Sequence, residues 1–332
     1  MSPQKPQRTA PAVSVIMPAY GVAEYIGAAL DSVLNQTFTD YEILVINDGA
    51  PDTEELEAVL EPYRDRIVYL KHENRGLSEA RNTAIRVARG RYLALLDPDD
   101  LWEPEYLAAQ VGMLESDPGI DAIYSNSLLF GDTINAGKTY MDICPSEGEV
   151  TFESLITERC QVAIFVTARK EAVIGAGMFD PAIRTSGDFD LWVRMVKHGA
   201  RITYNRRVLA RRRCRPDSLA ANRVALHRDV LSVFNKAQGY NLTPRERQTL
   251  ERERSKHQAM VSLYQGKQAF VEENFRVAVD YLKQANRFLK SRKIAVASTA
   301  LGLAPRLLLR MYNLRNELLD ARTQRTLSTT HR

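Results

Sequence analysis

Arg91-Tyr92-Leu93-Ala94-Leu95-Leu96-Asp97-Pro98-Asp99-Asp100 joins a short apolar run to three carboxylates. The run has the length and continuity of a buried strand, and the acidic cluster marks where it stops. Working outward, the same alternation recurs on the N-terminal side. Val13–Met17 is an apolar run ended by Pro18, and Tyr41–Ile46 is another, ended by Asn47-Asp48-Gly49. Ile67–Leu70 is a third. Between them, Glu24–Asn35 carries Ile26, Leu30, Val33 and Leu34 at helical spacing, and Thr53–Arg64 has helical composition. Ser78 is placed as the N-cap of a helix through Ala88, with Glu79 in its first turn. Four strands alternating with helices predict a mostly parallel sheet covered on both faces. Ligands of such sheets bind beyond the carboxyl ends of the strands. Pro18–Tyr20, Asn47–Gly49 and Asp97–Asp100 are therefore expected on one rim.

The acidic cluster has two readings. It can be a turn in which Asp100 caps a helix beginning at Leu101. Alternatively, the carboxylates hold a cation, because adjacent charges at a buried strand end repel unless one intervenes. Hard oxygen ligands suit Mg²⁺ or Mn²⁺, which would neutralise a departing diphosphate.

Beyond residue 118 the pattern is mixed. Ala122–Ser125, Gln161–Thr167 and Ile202–Tyr204 read as strands, and Phe189–His198 as a helix with Leu191, Trp192, Met195 and Val196 on one face. After Asn222 the chain reads as nearly all helix, broken near Asn241–Pro244 and Gly302–Pro305. Phe270, Phe275, Ala278, Tyr281, Leu282 and Ala285 suggest a helical hairpin resembling a single tetratricopeptide unit.

The chain has 332 residues, 45% hydrophobic and 26% charged, ordinary values for a globular protein. Its three cysteines, Cys144, Cys160 and Cys214, form no C-x-x-C pair, so neither a zinc site nor a disulfide framework is expected, and a reducing cytosol fits. Residues 1–11 lack the apolar core of a secretory signal and read as a disordered lead. No run of 18 apolar residues occurs, so no spanning helix is expected. The net charge of +4 is uneven: residues 241–332 hold 18 Lys and Arg against 8 Asp and Glu, leaving 27 against 33 before them. Such a tail is either a solvated basic region or one facing an anionic surface or partner.

The segments Val13–Tyr20, Leu30–Thr37, Asn47-Asp48-Gly49, Asn74–Asn82 and Leu96–Asp100 together, and in this order, resemble glycosyltransferase family 2. The resemblance covers about the first 110 residues and continues weakly to about Asn222. It implies an α/β GT-A fold, Rossmann-like, and an inverting transfer from a nucleotide sugar, with UDP favoured. By the resemblance, Pro18 and Tyr20 pack the nucleotide base and ribose, and Asp48 accepts from the base. Arg81 approaches the diphosphate, Asp97 contacts the ribose side, and Asp99, with Asp97, holds the metal. Ser186–Trp192 resembles the family's Glu-Asp-x-Asp-Leu-Trp stretch, so Asp188 takes the place of the general base, with Gly187 where the Glu usually stands. Asp190 is either structural or a candidate acceptor contact, and Trp192 is a candidate to stack on a sugar, although a core Trp is the plainer reading. Arg215 occupies the place of a family His that can reach the metal. Since arginine cannot ligate a cation, Arg213 and Arg215 are candidates to hold phosphate instead, or to sit in a solvated basic loop.

The expected organisation is a lead at 1–11, a GT-A domain at 12–222 and a basic helical region at 223–332. The GT-A domain would comprise a nucleotide-binding half at 12–110 and an acceptor half at 111–222. The expected activity is metal-dependent glycosyl transfer to a glycan or lipid-linked acceptor in cell-envelope polysaccharide biosynthesis. The expected location is cytoplasmic, with no nucleic acid partner. The C-terminal helices, Ile294–Leu314 among them, are candidates for peripheral membrane contact or homodimerisation. Two other readings stand beside it: a sugar nucleotidyltransferase, disfavoured because Pro18-Ala19-Tyr20-Gly21 follows the first strand where a Gly-rich loop belongs, and a non-catalytic sugar-nucleotide scaffold.

Overall fold

The computed structural model describes residues 10–162, 165–216, 218 and 222–314. Most of the lead expected at 1–11 lies outside them. The chain divides into two compact units, residues 1–221 with 232–250, and residues 222–231 with 251–332.

The first unit is built on an eight-stranded sheet. Its strands are β1 (Val13–Ala19), β2 (Tyr41–Asp48), β3 (Val68–His72), β4 (Tyr92–Leu95), β5 (Leu101–Trp102), β6 (Ala122–Gly131), β7 (Val166–Arg169) and β8 (Ile202–Cys214). The spatial order is β3-β2-β1-β4-β7-β6-β8-β5. β3, β2, β1 and β4 run parallel, β7 is antiparallel to both β4 and β6, and β6 and β8 are parallel. The parallel half is the part legible as alternation. β1, flanked by β2 and β4, is buried along its whole length because helices cover both faces. Pro18 is tolerated in this central strand for a specific reason. Leu96 donates its N–H to the Ile16 carbonyl, so Ile16 and, two residues on, Pro18 turn their polar groups toward β4. β4 has ended there, and no donor is needed.

Helices α1 (Ala23–Leu34), α2 (Thr53–Leu60) and α3 (Leu77–Val87) connect these strands, and α8 (Gly187–Lys197) follows α4 (Tyr106–Ser116) and the short α5 (Tyr140–Ile143), α6 (Phe152–Ile156) and α7 (Lys170–Gly175). α1 buries Ile26, Ala29, Leu30 and Val33, the stripe its spacing predicts.

Three local expectations are corrected. Ser78 is not an N-cap: Gly76 holds that position at φ 88°, and Ser78, the second residue of α3, donates to the Ile183 carbonyl. Asp100 does not cap a helix, because Leu101–Trp102 is a strand paired with Ala210 and Arg211 of β8, and α4 begins only at Tyr106. The Arg211–Arg213 run is not a loop either. β8 extends 13 residues because β6 supplies a partner along its length, with a register shift near Asn126.

The helices after Asn222 are α9 (Arg223–Ala237), α10 (Pro244–Val271), α11 (Phe275–Leu289), α12 (Arg292–Leu303) and α13 (Pro305–Leu314). In the second unit Ala269, Ala278, Leu282 and Leu301 form the core, packed by Leu263, Phe270, Phe275, Val279, Ile294 and Leu308. Gly266 lets α10 approach α11 closely: a Cβ there would lie 3.2 Å from the Leu282 side chain and 3.3 Å from the Ala278 carbonyl.

Candidate active site

The rim of the parallel strands gathers the expected residues in two groups. The first surrounds Asp48 at the end of β2. Its carboxylate is buried, and its two oxygens accept from the backbone N–H groups of Arg75 (2.7 Å) and Gly76 (2.8 Å). His72 Nδ1 lies 3.3 Å away. Asp48 therefore ties the Asn74–Gly76 turn to the sheet edge, and a carboxylate has lone pairs left for a further donor. Gly49 is required here. It adopts φ +62°, and a Cβ would stand 2.5 Å from the Asn74 backbone nitrogen. Tyr20, just past β1, is 52% exposed, so it is not a core aromatic.

The second group is a network of charges. Arg81, on α3, is almost wholly buried, and its guanidinium donates to Asp97 Oδ1 (2.8 Å) and to Asp188 Oδ1 (2.5 Å). Its carbon stands 5.2 Å from the Phe179 ring centroid. Burial alone would weaken this cation, but Asp188 and Asp97 outweigh it and hold its pKa above the ordinary arginine value. The carboxylates respond in kind. Burial pushes Asp188 above the usual aspartate range; Arg81 opposes the shift and Asp97 adds to it. Burial and then Asp97 raise Asp99, against the pull of Arg215. Asp100 is pushed well above its ordinary value by burial and by Asp99 and Asp97.

β8 and the residue after it supply the counter-charges. The Arg213 backbone N–H donates to Asp100 Oδ1 (2.6 Å), and its Nε donates to the Asp99 carbonyl (2.9 Å). Its guanidinium carbon lies 4.7 and 4.5 Å from the Tyr25 and Phe130 ring centroids. Arg215 pairs with Asp99 Oδ2 at 3.2 Å and also approaches Tyr25. Arg212 lies 5.2 Å from the Tyr140 ring, and its pKa is raised despite burial by Tyr140, Asp100 and Asp97.

One oxygen from each of Asp97, Asp99 and Asp100 lies within 4.8 Å of the others, a spacing that could hold a cation. The donor set fits a hard divalent ion: all carboxylate oxygens, with Asp99 and Asp100 strained by mutual repulsion. Asp97 and Asp99 keep 28% and 18% of their side chains exposed, while Asp100 is buried and anchors β8.

Two of the candidate acceptor contacts lie inside the core. Asp190 is fully buried, with Oδ2 accepting from Arg194 and Oδ1 from Lys236. Trp192 is likewise buried against Ile85, Leu93, Leu95 and Val166. α8 turns that face into the core. Arg212, Tyr25 and His72 were not singled out in the sequence. Arg212 sat inside the arginine run, but nothing local distinguished it from Arg211, and Tyr25 reads as one more residue of an amphipathic helix.

The family model "Glycosyl transferase family 2" matches residues 14–168. The chain is 31% identical over 186 residues to UDP-Glc:alpha-D-GlcNAc-diphosphoundecaprenol beta-1,3-glucosyltransferase WfgD of Escherichia coli, covering 56% of this chain and 70% of that one. The first curated relatives are longer, and the chain spans 33% and 39% of their length. Among solved structures, residues 1–349 of Staphylococcus aureus TarS in complex with UDP superpose with a TM-score of 0.61 over 91% of each chain, at 16% identity. A Pyrobaculum calidifontis mannosyltransferase in complex with GDP-Man and Mn²⁺ gives 0.59 over 92% of this chain and 84% of that one, at 20% identity. The mixed sheet with its covering helices is thus a GT-A fold, and the chain belongs to glycosyltransferase family 2.

Proposed function

We propose that this protein is an inverting, metal-dependent glycosyltransferase that moves a sugar from a nucleotide diphosphate sugar, UDP-linked, to a hydroxyl of a glycan or lipid-linked acceptor. The observation that supports this reading is the convergence of Asp97 and Asp188, far apart in sequence, on the one buried guanidinium of Arg81. That contact ties a base candidate to the acidic cluster. The glucosyltransferase relative names a UDP sugar and a diphosphoundecaprenol acceptor, which supports the donor and the acceptor class.

In this reading Tyr20 and Pro18 pack the base and ribose, and Asp48 accepts from the base. Asp97 and Asp99 would hold the divalent cation, Mn²⁺ or Mg²⁺; bound there, it supplies Lewis-acid stabilisation to the leaving diphosphate. Asp188 takes the proton of the acceptor hydroxyl as its oxygen attacks the anomeric carbon. The bond from that carbon to the diphosphate breaks, and its electron pair leaves with the nucleoside diphosphate. A carboxylate raised above the ordinary range is a better proton acceptor than an exposed aspartate. Arg81 positions Asp188 and opposes its protonation, rather than pointing a free guanidinium at the diphosphate. Arg213 and Arg215 are the cations nearest Asp99 that can turn to phosphate.

The test is nucleoside diphosphate release from a panel of nucleotide sugars with Mn²⁺, together with Asp188→Asn. The variant is expected to lose about 10²–10⁴-fold in transfer while still binding nucleoside diphosphate. Full turnover in Asp188→Asn would remove Asp188 from the base role, and no release from any donor would overturn the transferase reading.

A further inference from the structure

The second unit carries a surface that the transfer chemistry does not use. From Tyr281 to Leu314 the chain has seven Lys and Arg residues, Lys283, Arg287, Lys290, Arg292, Lys293, Arg306 and Arg310, and no Asp or Glu. All seven are exposed. α12 and α13 turn one side inward, where Ile294, Leu301 and Leu308 join the core of the unit. Their other side is also apolar. Val296, Leu303, Leu307, Met311 and Leu314 are between 58% and 82% exposed. On α13, Leu307, Met311 and Leu314 follow one another at i, i+4 and i+7 and so share a face, with Arg306 and Arg310 beside it.

A helix that has satisfied its core seam yet presents a second apolar face edged by cations has the character of one lying in a membrane interface. The two helices are bent by 118° at their junction, and neither alone is long and apolar enough to cross a membrane. A second copy of the same α13 face would bring Arg306 and Arg310 against their own counterparts, which opposes self-association. An anionic lipid surface meets both features at once: the cations find phosphate, and the leucines enter the acyl boundary.

We propose that α12 and α13 form a docking surface for an anionic phospholipid bilayer, with Leu303, Leu307, Met311 and Leu314 inserted shallowly and Arg306 and Arg310 at the headgroups. This goes beyond the transfer reading and stands independently of it, because its readout is vesicle binding.

The experiment floats the full-length protein with phosphatidylcholine vesicles, with or without phosphatidylglycerol. The expected result is binding to the anionic vesicles alone, released by high salt as screening removes the attraction. Each basic residue at such a surface contributes about fivefold in affinity, so Arg306→Glu with Arg310→Glu is expected to weaken binding roughly 25-fold or more. Leu307→Asp with Met311→Asp is expected to abolish it. These side chains are exposed, so unchanged far-UV circular dichroism and an unchanged thermal unfolding midpoint verify that the variants fold. Equal binding to neutral vesicles, binding to neither, or retention that resists high salt would each overturn the proposal. So would a dimer in sedimentation velocity that both variants dissociate in the absence of vesicle binding.

Discussion

Replacing Arg81 with methionine tests the charge network at its centre. The substitution roughly preserves the buried volume and removes the cation that, among the described residues, pairs with both Asp97 and Asp188. Breaking a buried pair by deleting one partner costs about 3–5 kcal/mol, because the remaining charge is left uncompensated. Asp97 and Asp188 keep 28% and 26% of their side-chain exposure, so solvent screens part of this and the lower end, about 3 kcal/mol, is expected. The part of it that falls on Asp188 raises that carboxyl further, because Arg81 is the leading cation that opposes its rise. The sign follows directly. Losing a cation favours the protonated acid, so fewer molecules hold a competent base at a given pH, and the acid limb of the rate profile moves upward. The assay is nucleoside diphosphate release across pH, with urea unfolding in parallel. Arg81→Lys keeps the charge but not the two-armed geometry, so it is expected to restore the position of the acid limb better than the rate. An acid limb in Arg81→Met superposed on that of the wild type would refute the positioning role, whatever the loss of rate.

Gly49→Ala forces a Cβ to 2.5 Å from the Asn74 nitrogen at a left-handed φ, so a loss of at least about 1–2 kcal/mol in urea unfolding and weaker nucleoside diphosphate binding are expected; unchanged binding would separate the Asp48 turn from the nucleotide. Arg215→Gln removes the guanidinium from Asp99, and a tethered counter-ion worth about 1 kcal/mol predicts roughly fivefold tighter Mn²⁺ binding by calorimetry; weaker binding would rule out competition with the metal. In the helical unit, burial and the neighbouring His227, 3.0 Å away between Nδ1 atoms, lower the pKa of His257 to about 3. The unfolded chain then binds a proton that the folded one excludes, so stability is full above pH 6.5 and falls as the pH drops toward 3; about 2 kcal/mol is lost between pH 7 and 5, and His257→Leu should flatten that slope in urea titrations.

The division between sequence and structure runs through particular residues. The alternation that marks β1 to β4 depends on local periodicity, and each of those strands lies within a residue or two of where its apolar run predicts it. The convergence of Tyr20, Asp48 and Asp97 followed from that alternation, since parallel strands end on one rim. Leu101–Trp102 was misread because a two-residue strand has no periodicity, and only pairing with β8, a hundred residues later, makes it one. β8 itself appeared as three residues and is thirteen, because arginines that look solvated in sequence are held by β6, Tyr25, Phe130 and the carboxylates.

The sequence alone carries the strand–helix order, the acidic cluster at the end of β4 and the excess of Lys and Arg in residues 241–332. Those properties are written in neighbouring residues. Only the tertiary structure shows that Arg81 is spent on two carboxylates, that Asp190 is paired with Arg194 and Lys236 inside the core, and that Leu307 and Met311 face outward. Each of these depends on which distant side chains share a desolvated space, and burial converts an ordinary charge or an ordinary leucine into one with a specific energetic role.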